Sequence, residues 1–246
     1  MKKFELTSET KINIFGKKLF RIKALISFAD VEAGETGGWV EKEGNVNQSG
    51  NAWVSGDAIV YGNAKVSGNA WVSGDAIVYG NAMVSGNAWV YGDAKVYGNA
   101  EVSGDAKVYG NAKVSGDAIV YGNAMVSGNA WVSGDAIVYG NAEVSGDAKV
   151  YGNAEVSGDA IVYGDAKVYG DAKVYGDADY TTIHGFGAQF RTTTFFRCKD
   201  KKVRVACGCF FGTIPEFREQ VKNTRKGKIA EEYLMIADLM ENHFEK

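Results

Sequence analysis

The stretch GNAWVSGDAIVY, Gly50 to Tyr61, decides how the rest of the chain is read. It is two hexads of one pattern, G-(N/D)-A-x-V-x. Gly44, Gly50, Gly56 and every sixth residue to Gly176 are glycine, each followed by Asn or Asp. Counting the imperfect unit GWVEKE at 38–43, the block 38–181 holds 24 hexads. Alternation in A-x-V-x puts alanine and valine on one face of a short strand and the two variable residues on the other. The Gly-Asn or Gly-Asp pair supplies the bend, because glycine is free at positive φ and Asn or Asp tolerates the left-handed region. One hexad cannot bury its own alanine and valine, so the units must coil, with strands stacked in parallel and the valines inside.

The run Val60-Tyr61-Gly62-Asn63-Ala64-Lys65 closely resembles the hexapeptide repeat of left-handed β-helices. That resemblance implies three hexads per coil and a triangular prism. The sequence carries its own check, because Trp53, Trp71 and Trp89 recur at 18, as do Tyr61, Tyr79 and Tyr97, and Ile59 and Ile77. The 24 hexads then make about eight coils, a prism on the order of 40 Å long at the usual strand spacing. The segment AIVYGNAMVSGNAWV at 76–90 returns at 118–132, a shift of 42, or seven hexads, and therefore one face out of phase. The array has grown without respecting faces.

The ends differ from the middle, as a solenoid with open coil ends requires. KINIFGKKLFRIKALISF (11–28) reads as a hairpin around Gly16-Lys17, followed by an acidic, glycine-rich lead-in; residues 1–37 form the entry cap. The β-helix takes 38–182, and 183–246 reads as a small α+β domain. In it, AQFRTTTFFRC and VRVACGCFF form a hairpin turning at Asp200-Lys201, placing Cys198, Val203, Val205, Cys207 and Cys209 on one face with Phe190 and Phe196. Thr213, Pro215 and Glu216 mark a helix start with a capping box. A second helix over roughly 229–244 buries Ile229, Tyr233, Ile236, Ala237, Met240 and Phe244. The fold class is mainly β: a left-handed parallel β-helix with a hairpin cap and an α+β tail.

Charge divides along the same lines: +1 over 1–43, −8 over 44–181 and +4 over 182–246. An acidic middle disfavours nucleic acid, which needs a basic track. No apolar run approaches the roughly 20 residues of a membrane span, and the start MKKFELTSET has no apolar segment behind its lysines, so a cytoplasmic protein away from membranes is expected. Three cysteines confined to one end fit a reducing compartment.

Chemistry is sparse. The enzymes best known for the resembled repeat, acyltransferases and a class of carbonic anhydrase, are trimers that depend on histidines, whereas only His184 and His243 occur here, both outside the hexads. No catalytic residue, cofactor or metal is therefore expected; the three cysteines lack paired CxxC spacing, and the columns Asp57, Asp75, Asp93 and Asp147, Asp165 read as solvated turns. The outward positions say more. Trp53, Trp71 and Trp89 form one aromatic row, bordered across an edge by Ile59, Ile77, Tyr61, Tyr79 and Tyr97; a second zone gathers Ile119, Ile137, Tyr121, Tyr139, Met125 and Trp131. Apolar rows of this size mark an interface.

The lead-in GGWVEKEGNV and the tail TTTFFRCKDKKVRVACGCF are similar to those of bacterial and phage hexapeptide-repeat proteins without known activity. The resemblance implies a prophage origin. The expected function is thus a non-enzymatic interaction or scaffold protein, a homotrimer that binds a host or phage protein in a bacterial cell, with inhibition of a bacterial immune component as one version. Two alternatives are a nucleotide-signal binder, with Arg191, Arg197 and Arg204 meeting phosphates, and an acyltransferase using His184.

Overall fold

The computed structural model describes residues 2–187 and 190–245. The hexads form a parallel β-solenoid of about eight coils, each turn laying one two-residue strand on each of three sheets. Register is 18 residues throughout: Trp53 pairs with Trp71, Ile59 with Ile77 and Lys65 with Met83. A first sheet carries Ile59, Ile77, Lys95, Lys113 and Trp131, a second Trp53, Trp71, Trp89, Lys107 and Met125, and a third Lys65, Met83, Glu101, Ile119 and Ile137. Every repeat alanine and valine from Ala52 to Val174 is fully buried, so the core is one continuous column. Each buried valine contributes about 2 kcal/mol over leaving it in water.

The corners explain why glycine never varies. Gly86 sits at φ 67, and a Cβ there would lie 2.8 Å from the Gly104 nitrogen and 2.9 Å from its oxygen on the next coil. Backbone conformation and stacking distance therefore both exclude a side chain. The following residue builds a second ladder. The Asn51 amide donates to Asn69, Asn69 to Asn87 and Asn87 to Asp105, and a parallel run goes from Asn63 through Asn81 and Asn99 to Asp117. Each run ends on an aspartate because a carboxylate accepts but cannot donate.

In this solenoid the N–H groups at the corners and strand starts of each coil donate to carbonyls of the next, as Trp53 does to Ala70, and only the strand valines donate back. The first coil is therefore left with free carbonyls, and each sheet closes them with donors. The first sheet uses the lead-in strand Thr36–Val40, whose Trp39 N–H donates to Ala58. On the second, the Lys3 ammonium reaches Gly50 O at 3.1 Å and Ala52 O at 2.7 Å. On the third, the Asn45 amide reaches Gly62 O and Ala64 O. The antiparallel hairpin of Phe4–Ile12 and Lys18–Ala24 continues the first sheet, and Phe4, Ile22 and Val31 plug the core. At the far end the polarity reverses, and acceptors cap: Thr194 Oγ1 takes the Lys167 N–H and Asp179 the Tyr175 N–H.

The C-terminal unit is an antiparallel sheet of Tyr180–Phe186, Arg191–Arg197, Val203–Cys207 and Phe210–Thr213, followed by α1 (Ile214–Thr224) and α2 (Gly227–Phe244). Thr213 and Glu216 form the capping box that the sequence announces. The first two residues of the run 188–198 lie outside the described residues. The single face proposed for the cysteines is corrected. Arg197 pairs with Val203 and Cys198 N–H donates to Lys202 O, so the turn holds three residues, with Lys201 at φ 61, where the sequence reading assumed two. A three-residue turn pairs odd positions with odd. Phe196, Cys198 and Ala206 consequently pack on the last coil, while Phe195, Val205 and Cys207 face the helices; Cys209 and Phe190 are exposed.

Candidate interaction surface

The outward columns are straight because every strand is in register. On the second sheet the indoles of Trp71 and Trp89 stack at 5.9 Å, and Trp89 is 46% exposed. Beyond them the column runs through Lys107 and Met125 to Glu143 and Ile161. The neighbouring edge carries Tyr91 and Tyr109, stacked at 5.0 Å. Trp89 and Lys107 line a shallow groove with Ser73 and Tyr91 along one edge and Asn87 and Asp105 along the other.

Trp53 does not belong to that free surface. It is fully buried, edge-on to Phe4 and Phe28 at 6.2 and 5.4 Å, and its indole N–H has no acceptor among the described residues. The ring fills the coil end beneath the hairpin. The row bordering it is corrected likewise. Tyr61, Tyr79 and Tyr97 stack in sequence, but Phe15 at the hairpin tip lies 6.3 Å from Tyr61 and 6.5 Å from Tyr79. Leu19 and Trp39 complete the cover, leaving Tyr61 buried and Ile59, Ile77, Tyr79 and Tyr97 half-buried. Burial raises the Tyr61 and Tyr79 phenols above their ordinary range. Asp57, the first of its column, accepts from the Trp39 indole, and that bond, with the nearby Lys11 and Arg21 charges, keeps its carboxyl below the usual range.

The second zone also divides. Ile119 and Ile137 lie on the third sheet, Met125 on the second and Trp131 on the first. Tyr121 and Tyr139 stack at 5.0 Å on the edge between third and second sheets, so Met125 is their neighbour around one corner. Trp131 stands apart on the first sheet, its indole donating to Ser115 at 3.0 Å. The duplicated segment accounts for the split: a shift of seven hexads moves the same peptide one face round. A third tyrosine pair escaped the sequence reading. Tyr151 and Tyr169 stack at 4.7 Å, and Tyr169 continues onto Phe211 at 4.4 Å, so the C-terminal unit covers this end as the hairpin covers the other. Burial pushes the Tyr169 phenol up to about 12.

The three arginines are not brought together. Arg197 reaches Phe244 O and pairs with Asp179, and Arg204 pairs with Asp200 on the opposite sheet face. Arg191 lines a cleft between the sheet and the helices, and Arg197 a separate one that also holds Glu241 and Glu245. His184 is exposed, its Nδ1 3.0 Å from Thr192 Oγ1, which in turn reaches Asp165 at 3.4 Å. Burial pushes the Cys198 thiol up to about 11. Among the described residues no three His, Cys, Asp or Glu side chains gather as a metal would require. None of the described helices is long and apolar enough to cross a membrane.

Comparison with known proteins bears on the repeats. The family model for the YdcK beta solenoid repeat matches residues 64–80, 76–92, 106–122 and 120–134, all within the hexads. The chain is thus similar to that family over the middle coils. A search of curated proteins finds no match.

Proposed function

We propose that the protein is a non-enzymatic interaction protein whose rigid solenoid associates through its uncovered aromatic faces, first with copies of itself. The observation that carries this reading is the Trp71–Trp89 row. The chain's own caps cover Trp53, Tyr61 and Tyr79 at one end and Tyr169 at the other, whereas Trp89 stays 46% exposed in mid-prism, stacked on Trp71 with the Tyr91–Tyr109 pair beside it; Tyr163 and Tyr175, near the far end, are exposed as well. Stacked aromatics on an unyielding surface lose little conformational entropy on docking, which favours them as interface anchors. Trimerisation is the habit of the hexapeptide-repeat fold that the sequence resembles, and it would bury one such row.

The faces left outside such an assembly, above all Ile119, Ile137, Tyr121 and Tyr139, are proposed to bind a host or phage protein in the cytoplasm of a bacterium. The similarity of the lead-in and tail to bacterial and phage proteins supports that setting, and a prophage origin with inhibition of an immune component is its sharpest form. Light scattering tests the core of the proposal. An oligomer of the 26.4 kDa chain that Trp89→Glu converts to monomer supports it. A monomeric wild type, or an oligomer indifferent to Trp89→Glu, refutes it.

A further inference from the structure

A second feature lies away from the solenoid faces, in the C-terminal unit. The antiparallel sheet and the two helices leave a cleft of about 210 Å³ between them. Phe210, Phe217 and Val221 form its apolar wall, with the Phe210 and Phe217 rings 5.3 Å apart and Phe217 edge-on to Tyr233 at 5.8 Å. Its polar lining includes Arg191 from the sheet, Arg225 from the end of α1, the Tyr233 hydroxyl and the Cys207 thiol, together with Cys209, Gln220 and Thr224. Among the described residues lining the cleft none is acidic, and neither Arg191 nor Arg225 has a carboxylate partner there.

The local backbone is arranged to hold the first guanidinium in place. Arg191 opens its strand opposite Phe186, and its side chain lies across the turn Cys207–Phe210 at Gly208. Gly208 has φ 62, and a Cβ there would collide with the Arg191 Nη1. Arg225 closes α1 as its C-cap, its backbone N–H donating to Val221 O at 2.8 Å. Its guanidinium also reaches Thr224 O at 3.2 Å, which fits a cation at a helix C-terminus. That role explains Arg225 alone. It does not explain why a second guanidinium without a carboxylate partner among the described residues lines the same cleft.

The geometry points to a binding site for a small organic anion: a phosphate monoester or carboxylate joined to one flat apolar ring. Two guanidinium groups present forked donors that match an oxyanion. The Phe210–Phe217 wall takes a ring by stacking or edge contact. The cleft is smaller than the 300–1,000 Å³ typical of drug-sized ligands, which limits the ligand to a single ring with its anionic group.

Phenyl phosphate serves as the probe and Cys207 as the reporter, because Cys198 is buried and Cys209 can be removed by Cys209→Ser. Iodoacetamide labelling of Cys207 in the full chain is followed by mass spectrometry. Phenyl phosphate at about four times its Kd should slow labelling about fivefold by mass action, and Arg191→Gln with Arg225→Gln should abolish the protection. Both arginines are exposed, so that variant keeps its fold, which its melting curve checks. Calorimetric titration of phenyl phosphate into the wild type gives a second readout independent of thiol reactivity. Absence of heat and of protection at about 10 mM, a concentration at which even a millimolar Kd gives high occupancy, overturns the site. Equal protection in the double variant overturns the role of the arginines. Inorganic phosphate binding as tightly as phenyl phosphate overturns the ring pocket.

Discussion

Alanine at three glycines separates the two reasons for the invariant corner. Gly176 has φ −163 and open space around it, so Gly176→Ala should change stability by less than about 0.5 kcal/mol. Gly164 has φ 64 and again nothing within 4 Å, so Gly164→Ala meets the left-handed backbone alone and should cost about 1–2 kcal/mol. Gly86 has φ 67 and would also place its Cβ 2.8 Å from Gly104 N and 2.9 Å from Gly104 O. Those contacts can open only by prising two coils apart, which stretches the 2.7 Å bond from Asn87 N to Gly104 O. Overpacking of this kind adds about 1–3 kcal/mol, for about 2–5 kcal/mol in all. Urea denaturation followed by circular dichroism gives the ranking, and hydrogen exchange at the Asn87 amide reports the local opening. Equal losses for Gly86→Ala and Gly164→Ala would refute the stacking argument. No loss at Gly164 would refute the backbone argument.

Two further predictions concern charges held in the coils. Burial lowers the Lys3 ammonium from 10.5 to about 8. Between those values the unfolded chain binds the extra proton, so stability should rise with pH across that window and be flat below it. The rise, at most about 3 kcal/mol, is read as wild type minus Lys3→Met in pH-dependent melts; an identical pH profile for the two proteins would contradict it. Asn87→Asp keeps the acceptor for Asn69 but removes the donor to Asp105 and sets two carboxylates side by side. It should cost about 1–2 kcal/mol at pH 7 and recover as the solution is acidified and one of the two carboxyls takes up a proton; a loss independent of pH would show that repulsion is not its cause.

How much of the candidate surface was legible is seen by comparing Trp53 with Trp89. They occupy the same hexad position, on the same sheet and in one register, yet one is fully buried and the other 46% exposed. Their hexads differ only in the last residue, Ser55 against Tyr91; what buries Trp53 is Phe4 and Phe28, more than 20 residues upstream. Tyr61 and Tyr97 differ for the same reason, since the hairpin tip reaches the first two tyrosines of its column. The cysteine faces failed on a smaller point, a single extra turn residue that inverted the parity of a strand.

The sequence by itself determined the repeat unit, the 18-residue register, the buried alanine–valine column and the Thr213–Glu216 cap. These rest on interactions within one hexad, between identical neighbours or within one helical turn, where local pattern and structure coincide. Only the tertiary structure decided which aromatic columns remain free, how the first coil's carbonyls are closed by Lys3 and Asn45, and that Arg191 and Arg225 meet in a cleft while Arg197 and Arg204 do not. Those outcomes depend on where non-repeating segments fold back over a surface that is chemically alike from coil to coil, and a periodic sequence holds no local mark of where its own ends will lie.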